Sequence, residues 1–481
     1  MYRSSRGDLL VSGGERWNKT SYNYKLGFDL EAGYTFLENH RIGVNFYYSN
    51  LKGVNLPSGG YLDTLGTSSL NYGSNDIYLH NTTFTYAGAT PDKVFNWSAA
   101  YTFGEVDNLG TYYSNASYPN VDNTYRMHVK MDEFKAQLTF DKQIIALTGG
   151  FDYLNYIYST ESLYPAFPPA TVTEIVTKDL AFYILAKAKL LNDRLIISAA
   201  GRYDVYDSDV QGVNFSKTNT VFSPSIGVAF MPADFIKLRA NYSEGVRMPN
   251  PSYILGIPGQ INPNHDLDIE RSKSFEIGFD LSYDYIDASL TYFHTNVINK
   301  IVRTGSFYDW TFYNLDKKAT LAGFEASFRF DIGKMLERDF TLAPYMSLTW
   351  LTTRKHGQDT AVIPQAPKTL PDVPTFMATY GIDFEHPGIG LSANLNFSYI
   401  GYRWTQDFSW MAQAAKGGQW YNHGGDTVVD ISVKQRLWDT GDKGQFYAKA
   451  SVTNLFDTNY SYTYDYAMPG RSFYLGLGYE Y

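Results

Sequence analysis

Lys25-Leu-Gly-Phe-Asp-Leu-Glu-Ala-Gly-Tyr-Thr-Phe36 alternates without a break. Leu26, Phe28, Leu30, Ala32, Tyr34 and Phe36 fall on even positions, and Lys25, Gly27, Asp29, Glu31, Gly33 and Thr35 on odd ones. Successive side chains of a strand point to opposite faces, so this segment has one greasy and one polar face. Residues 274–285 repeat the pattern, with Phe275, Ile277, Phe279, Leu281, Tyr283 and Tyr285 opposite Ser274, Glu276, Gly278, Asp280, Ser282 and Asp284. Residues 389–399 do so again, with Ile389, Leu391, Ala393, Leu395, Phe397 and Tyr399 on one side. Soluble antiparallel sheets also alternate, but their strands run about 5 to 6 residues. Runs of about 10 to 12 suit a tilted strand crossing a bilayer. Aromatic residues crowd the ends of the apolar faces, at Tyr283 with Tyr285 and Tyr479 with Tyr481, where an interfacial girdle would sit. The reading is all-β: a transmembrane antiparallel β-barrel.

Composition agrees. Aromatic residues make up 17% of the 481, with 42 tyrosines, yet mean hydropathy is −0.31. Strands that alternate apolar and polar residues give both at once. No stretch approaches the roughly 18 to 20 apolar residues of a spanning helix. The formal charge is −9, and Lys and Arg are scattered singly, so no nucleic-acid footprint exists. The chain has no cysteine, which removes thiolate metal sites and suits passage through an oxidising periplasm.

Connections alternate short and long, as between the periplasmic and outer ends of a barrel. Short turns fall near residues 37–39, 90–92, 141–142, 191–193, 231–233, 284, 332–338, 386–387 and 440–443. Long loops fall near 53–74, 105–122, 160–174, 247–266, 353–369, 405–425 and 457–468, with shorter outer connections near 207–215 and 304–307. Counting back from a last strand that ends at the periplasmic face gives about 20 strands, the first rising over residues 2–11. No linker or repeat interrupts them, so residues 1–481 read as one domain. In the last strand Phe473, Leu475, Leu477, Tyr479 and Tyr481 share a face, with Tyr474, Gly476, Gly478 and Glu480 towards the lumen. This resembles the C-terminal assembly signal of outer-membrane barrels.

Further motifs carry a family resemblance. Tyr242-Ser-Glu-Gly-Val-Arg247-Met-Pro249, followed by Asn264-His-Asp266-Leu267-Asp-Ile-Glu270 and the strand through Glu276 to Gly278, resembles a stretch of the TonB-dependent receptors. There a strand ends in Gly-aromatic-Arg-x-Pro and is followed by Asn-Pro-Asp-Leu-x-Pro-Glu. Gly323-Phe-Glu325, Asn454-Leu455-Phe456-Asp457-x-x-Tyr460 and Pro469-Gly470-Arg471-x-Phe473 resemble three more signatures in the family's order. Val246, Met248, His265 and Ile269 depart from the pattern and leave the subfamily open. The resemblance implies a 22-stranded barrel occluded by an N-terminal plug with a box that binds TonB. On that frame the chain begins at the family's third strand, and the plug, the box and the export signal are expected upstream of Met1.

The resemblance implies an outer-membrane receptor whose outer loops capture a ferric siderophore, cobalamin or haem. Its partners would be lipid and lipopolysaccharide, the barrel-assembly machinery and the TonB complex. Among loop residues the ligand-binding candidates are Arg247, Tyr253, His265, Trp404, Trp410, Trp420, Tyr421 and His423. Rings suit a bulky apolar ligand, although Trp and Tyr are enriched at membrane interfaces anyway. His265 and His423 read either as haem or metal ligands or as solvated loop residues, since no spacing motif supports ligation. Arg247 suits an anionic chelate or a wall salt bridge with a carboxylate such as Glu276. Asp266, Asp268 and Glu270 alternate onto one face and offer oxygens to Ca²⁺, but the calcium-loop spacing is missing, so no resident cofactor is expected. Neither His-Glu-x-x-His, a phosphate-binding Gly loop nor Gly-x-Ser-x-Gly occurs, and an enzyme is not expected. Two other readings remain: a plugless passive channel or adhesin, and a soluble β-rich enzyme or lectin.

Overall fold

The computed structural model describes residues 2–5, 8–10, 16–19, 22–55, 73–112, 123–163, 173–212, 215–256, 261–304, 310–357, 368–406, 420–462 and 468–480. Twenty strands form one sheet. It is an antiparallel meander running from Tyr2–Ser5 against Tyr22–Phe36 to Gln445–Thr453 against Ser472–Glu480. Among the described residues no ladder joins those two end strands to each other. Three hairpins stand outside the sheet: Asp8–Leu10 with Arg16–Lys19, Ile301–Thr304 with Thr311–Asn314, and Arg403–Gln406 with Trp420–His423.

The count of about 20 strands stands, but the expected first strand over residues 2–11 does not. Its ladder to the sheet ends at Ser5, after a register shift between Arg3 and Ser5, and Asp8–Leu10 pairs in a hairpin of its own. The outer connection near 304–307 is likewise part of a hairpin above the sheet.

The exposed face is the apolar one. Phe28 is 49% exposed, Leu30 60%, Ile184 61% and Leu477 83%, the reverse of a water-soluble sheet, whose apolar face is covered. Inside the sheet, strands with a neighbour on each side have their backbone polar groups satisfied between strands, as hydrocarbon requires. Near the short turns the exposed rings touch one another: Phe235 and Tyr283 lie 5.3 Å apart, and Tyr285 and Phe330 5.6 Å. This is the interfacial girdle expected at Tyr283 and Tyr285. Among the described residues no helix is long and apolar enough to cross a membrane.

Several strands exceed the roughly 9 to 11 residues a crossing needs. Asn123–Lys142 has 20. Its lower outward face carries Phe140, Leu138, Ala136 and Phe134, and the same face continues upward as Asp132, Lys130, His128 and Arg126. The inward face does the opposite, running from Thr139, Gln137, Lys135 and Glu133 to Met131, Val129 and Met127. Charged groups cannot stand in hydrocarbon at low cost, so the exchange marks where the wall leaves the bilayer.

Candidate functional site

The outer mouth is built from segments between the long strands. After Ile236–Arg247 the chain turns through Pro249, which is buried, into the one-turn helix Pro251–Leu255. The Asn250 side chain caps that helix by accepting from the N–H of Ser252 at 2.9 Å. Ile254 then seats on Tyr158, Ile175 and Val210 of the wall, while Leu267, Ile261, Ile301 and Phe312 form a second cluster that docks the 301–314 hairpin. Tyr253 stacks on Phe312 with ring centroids 3.6 Å apart, and the Arg303 guanidinium lies 4.2 Å from the Trp310 ring.

Charge fixes the base of this assembly. Glu270 is 7% exposed. It pairs with Arg247 and accepts the backbone N–H of Ile301 at 2.6 Å. Arg247 thus forms the wall salt bridge, but with Glu270; Glu276 lies further down, opposite Asn241 and Phe293. Burial, opposed by Glu270, holds the Lys300 ammonium down at about 8. The three acids proposed for Ca²⁺ have separate engagements: Glu270 as above, Asp268 with Lys217 at 2.9 Å, and Asp266 in a turn where its N–H bonds to Asn264. No metal-holding group of His, Asp and Glu occurs among the described residues. His265 packs on Phe215, ring centroids 4.8 Å apart.

A second assembly uses Arg403–Gln406 and Trp420–His423, where Arg403 stands opposite His423 and Thr405 opposite Tyr421. Trp404 is 37% exposed. Trp420 has its indole N–H buried with no hydrogen-bond partner among the described residues. Trp410 lies outside the described residues, as does Tyr481. Arg403, which no motif singles out, is 3% exposed and donates to the carbonyls of Ser461 at 2.5 Å and of Tyr462 at 2.6 Å. Burial pushes its guanidinium down, partly offset by Asp372 and Asp426. Burial pushes the Asp372 carboxyl up against the pull of Arg403, and burial with Arg403 nearby lowers His423. A buried cation met by carbonyls joins this hairpin to the 454–470 loop.

The remaining motif residues prove structural. Asn454 is 2% exposed with φ 52°, and its side chain donates to the carbonyls of Thr458 and Pro469 while accepting the N–H of Thr458 at 2.7 Å. Asp430 accepts the Asn454 N–H at 2.8 Å. Leu455 bonds back to Val429, Asp457 accepts the N–H of Arg471, Gly470 is buried, and Phe456 is 70% exposed. Phe473, Leu475 and Leu477 are exposed on the apolar face of the last strand, with Tyr479 beside Phe446.

Residues 4–455 match the family described as TonB dependent receptor-like, beta-barrel. Among curated relatives, the probable TonB-dependent siderophore receptor PirA of Acinetobacter baumannii is 23% identical over 322 residues, 56% of this chain and 40% of that protein. Hemoglobin-haptoglobin-binding protein A of Haemophilus influenzae is 23% identical over 285 residues, 55% of this chain and 26% of that protein. The chain therefore spans well under half of either relative. Of solved structures, the FrpB iron transporter of Neisseria meningitidis superposes with a TM-score of 0.78 at 15% identity, covering 99% of this chain and 77% of that one. The copper transporter OprC does so at 0.77 and 14%, covering 99% and 74%. These likenesses show the barrel fold. Since the family match runs from the first strand to the turn built on Asn454, the chain belongs to the TonB-dependent receptor-like family and carries its β-barrel.

Proposed function

We propose that the protein is an outer-membrane receptor of a Gram-negative bacterium that captures a scarce, bulky nutrient at its outer mouth. The cargo is a ferric siderophore, haem or cobalamin, and import draws on energy passed through TonB. Lipid, lipopolysaccharide and the barrel-assembly machinery are the other partners.

The observation that carries the reading is the ordered outer mouth. Two hairpins and a capped helix rest there on a buried carboxylate, a buried guanidinium and stacked rings, which a simple pore with short outer connections would not need. The relatives named as a siderophore receptor and a haemoglobin-haptoglobin-binding protein support a cargo of this class.

The test is uptake of ⁵⁵Fe-labelled siderophores, haemin and ⁵⁷Co-cobalamin by cells carrying or lacking the protein, in strains with and without TonB. TonB-dependent uptake of one cargo supports the reading. Steady conductance of the purified protein in planar bilayers without energised uptake would make it a passive channel instead.

A further inference from the structure

One row of inward-facing residues runs straight across adjacent strands above the level where the faces exchange. Leu79 pairs directly with Val106, Val106 with Val129, Val129 with Tyr158, Tyr158 with Ile175, and Ile175 with Val210. All six are apolar. On the three strands that carry Leu79, Val106 and Val129 the outward residues at this level are polar: His80 stands opposite Glu105, and Glu105 opposite Lys130, while Arg126 binds Asp107 through two bonds of 2.8 Å; further along, the same level continues as Ile157 and Val176. A polar outward face opposite an apolar inward one gives these three strands the chemistry of a soluble binding wall rather than that of a hydrated channel.

Half of the row shows what it accepts. Ile254, with Leu255 packed beside it, covers Tyr158, Ile175 and Val210, and Val129 packs against the edge of the same cluster. The same stripe continues unbroken to Val106 and Leu79, which lie outside that cluster. Leu79, Val106 and Val129 stand on three consecutive strands and span about 10 Å, two strand spacings. That is the width of a fused ring system or a short alkyl chain.

We infer that the Leu79–Val106–Val129 stretch is a subsite for an apolar, planar or aliphatic face of the cargo, continuous with the seat of Ile254. The inference rests on the receptor reading and adds a preference: cargo with an apolar face over cargo that is hydrophilic all round. Burying such a face removes it from water without requiring a polar partner, and the charged outward rows keep the same strands from being drawn down into lipid.

The test compares the receptor with the double variant Leu79→Gln/Val106→Gln, and with His80→Gln as an outward control on the same strand. Probes are haemin, which has a flat apolar face, and ferric citrate, which has none; both are titrated by quenching of intrinsic fluorescence. Heat-modifiable migration on gels reports folding of each variant. The inference expects haemin binding by the unmodified receptor, weakened at least tenfold in the double variant and unchanged in His80→Gln, with any ferric citrate response unaffected. Haemin binding that the double variant leaves unchanged overturns it. So does a receptor that binds ferric citrate but not haemin, an outcome under which the receptor reading survives. Faster amide exchange of residues 251–255 in the double variant with unchanged haemin binding would make the row a seat for that helix alone, again overturning the subsite. A receptor that binds neither probe overturns the subsite, and absent uptake of any cargo in cells would separately remove the receptor reading.

Discussion

Glu270 holds Arg247 across the last pair of a strand ladder and, through its Oε1, the N–H of Ile301 on the hairpin above. One buried carboxylate therefore ties wall to mouth. Replacing Glu270 with Ala leaves that N–H without an acceptor and removes the negative charge near Lys300. The expected cost is about 1 to 3 kcal/mol, because the largely exposed Arg247 contributes little of its own. Glu270→Gln, which retains an oxygen for Ile301, should cost less. Amide exchange of residues 301–314 measured by mass spectrometry would show the order Ala faster than Gln faster than unmodified protein; equal rates would dismiss the tie.

Lys300 gives the same hairpin a pH dependence. Burial holds its ammonium at about 8, below the ordinary 10.5, so between those values the unfolded hairpin binds more protons than the folded one and stability rises with pH. Exchange protection of 301–314, corrected for intrinsic rates, should therefore increase from pH 8 towards 10. Lys300→Met should flatten that rise. A fall in protection over this range would contradict the assignment.

Asn454 combines a left-handed backbone with three side-chain bonds. Asn454→Gly restores the backbone freedom but none of the bonds, whereas Asn454→Ala loses both. We expect Ala to cost about 2 to 4 kcal/mol and Gly about 1 kcal/mol less, from the usual magnitudes of buried hydrogen bonds and of backbone strain. The temperature at which the folded band is lost on gels is the readout, and equal losses for the two variants would reduce the turn to its hydrogen bonds alone.

The last strand offers a paired test of sidedness. Leu475 is 89% exposed on the apolar face, whereas a Cβ added to its neighbour Gly476 would meet nothing within 4 Å. Leu475→Arg should cost about 2 to 4 kcal/mol in folding into lipid vesicles, and Gly476→Ser close to nothing. Similar costs for both would mean that this strand does not face lipid.

The wall was legible in the sequence because its signal is periodic and repeated: residues 25–36 and 274–285 each state which side faces lipid. The mouth was legible only in part. Arg247 read as a cation in need of a carboxylate, but Glu276 lies on the same strand face as Glu270, and only the folded turn through Pro249 decides between them. Tyr253 read as a ligand-binding candidate and stacks on Phe312, 59 positions later by sequence number. Arg403 carried no local motif, since its partners are backbone carbonyls of a distant loop and carbonyls are the same in every residue. Asn454 was found through its motif, but the motif did not say that its work is to close a turn.

The exchange of faces along Asn123–Lys142 has a consequence for how the wall is put together. A strand that slides by one residue against its neighbour turns every side chain over. In a strand of constant pattern that error is felt only within the bilayer. Here it would push Glu133 and Lys135 into lipid and, at the other end, turn Lys130 and His128 inward while Met127, Val129 and Met131 met water. A misaligned pairing is penalised at both ends of one strand, so the long strands proofread their own alignment during assembly.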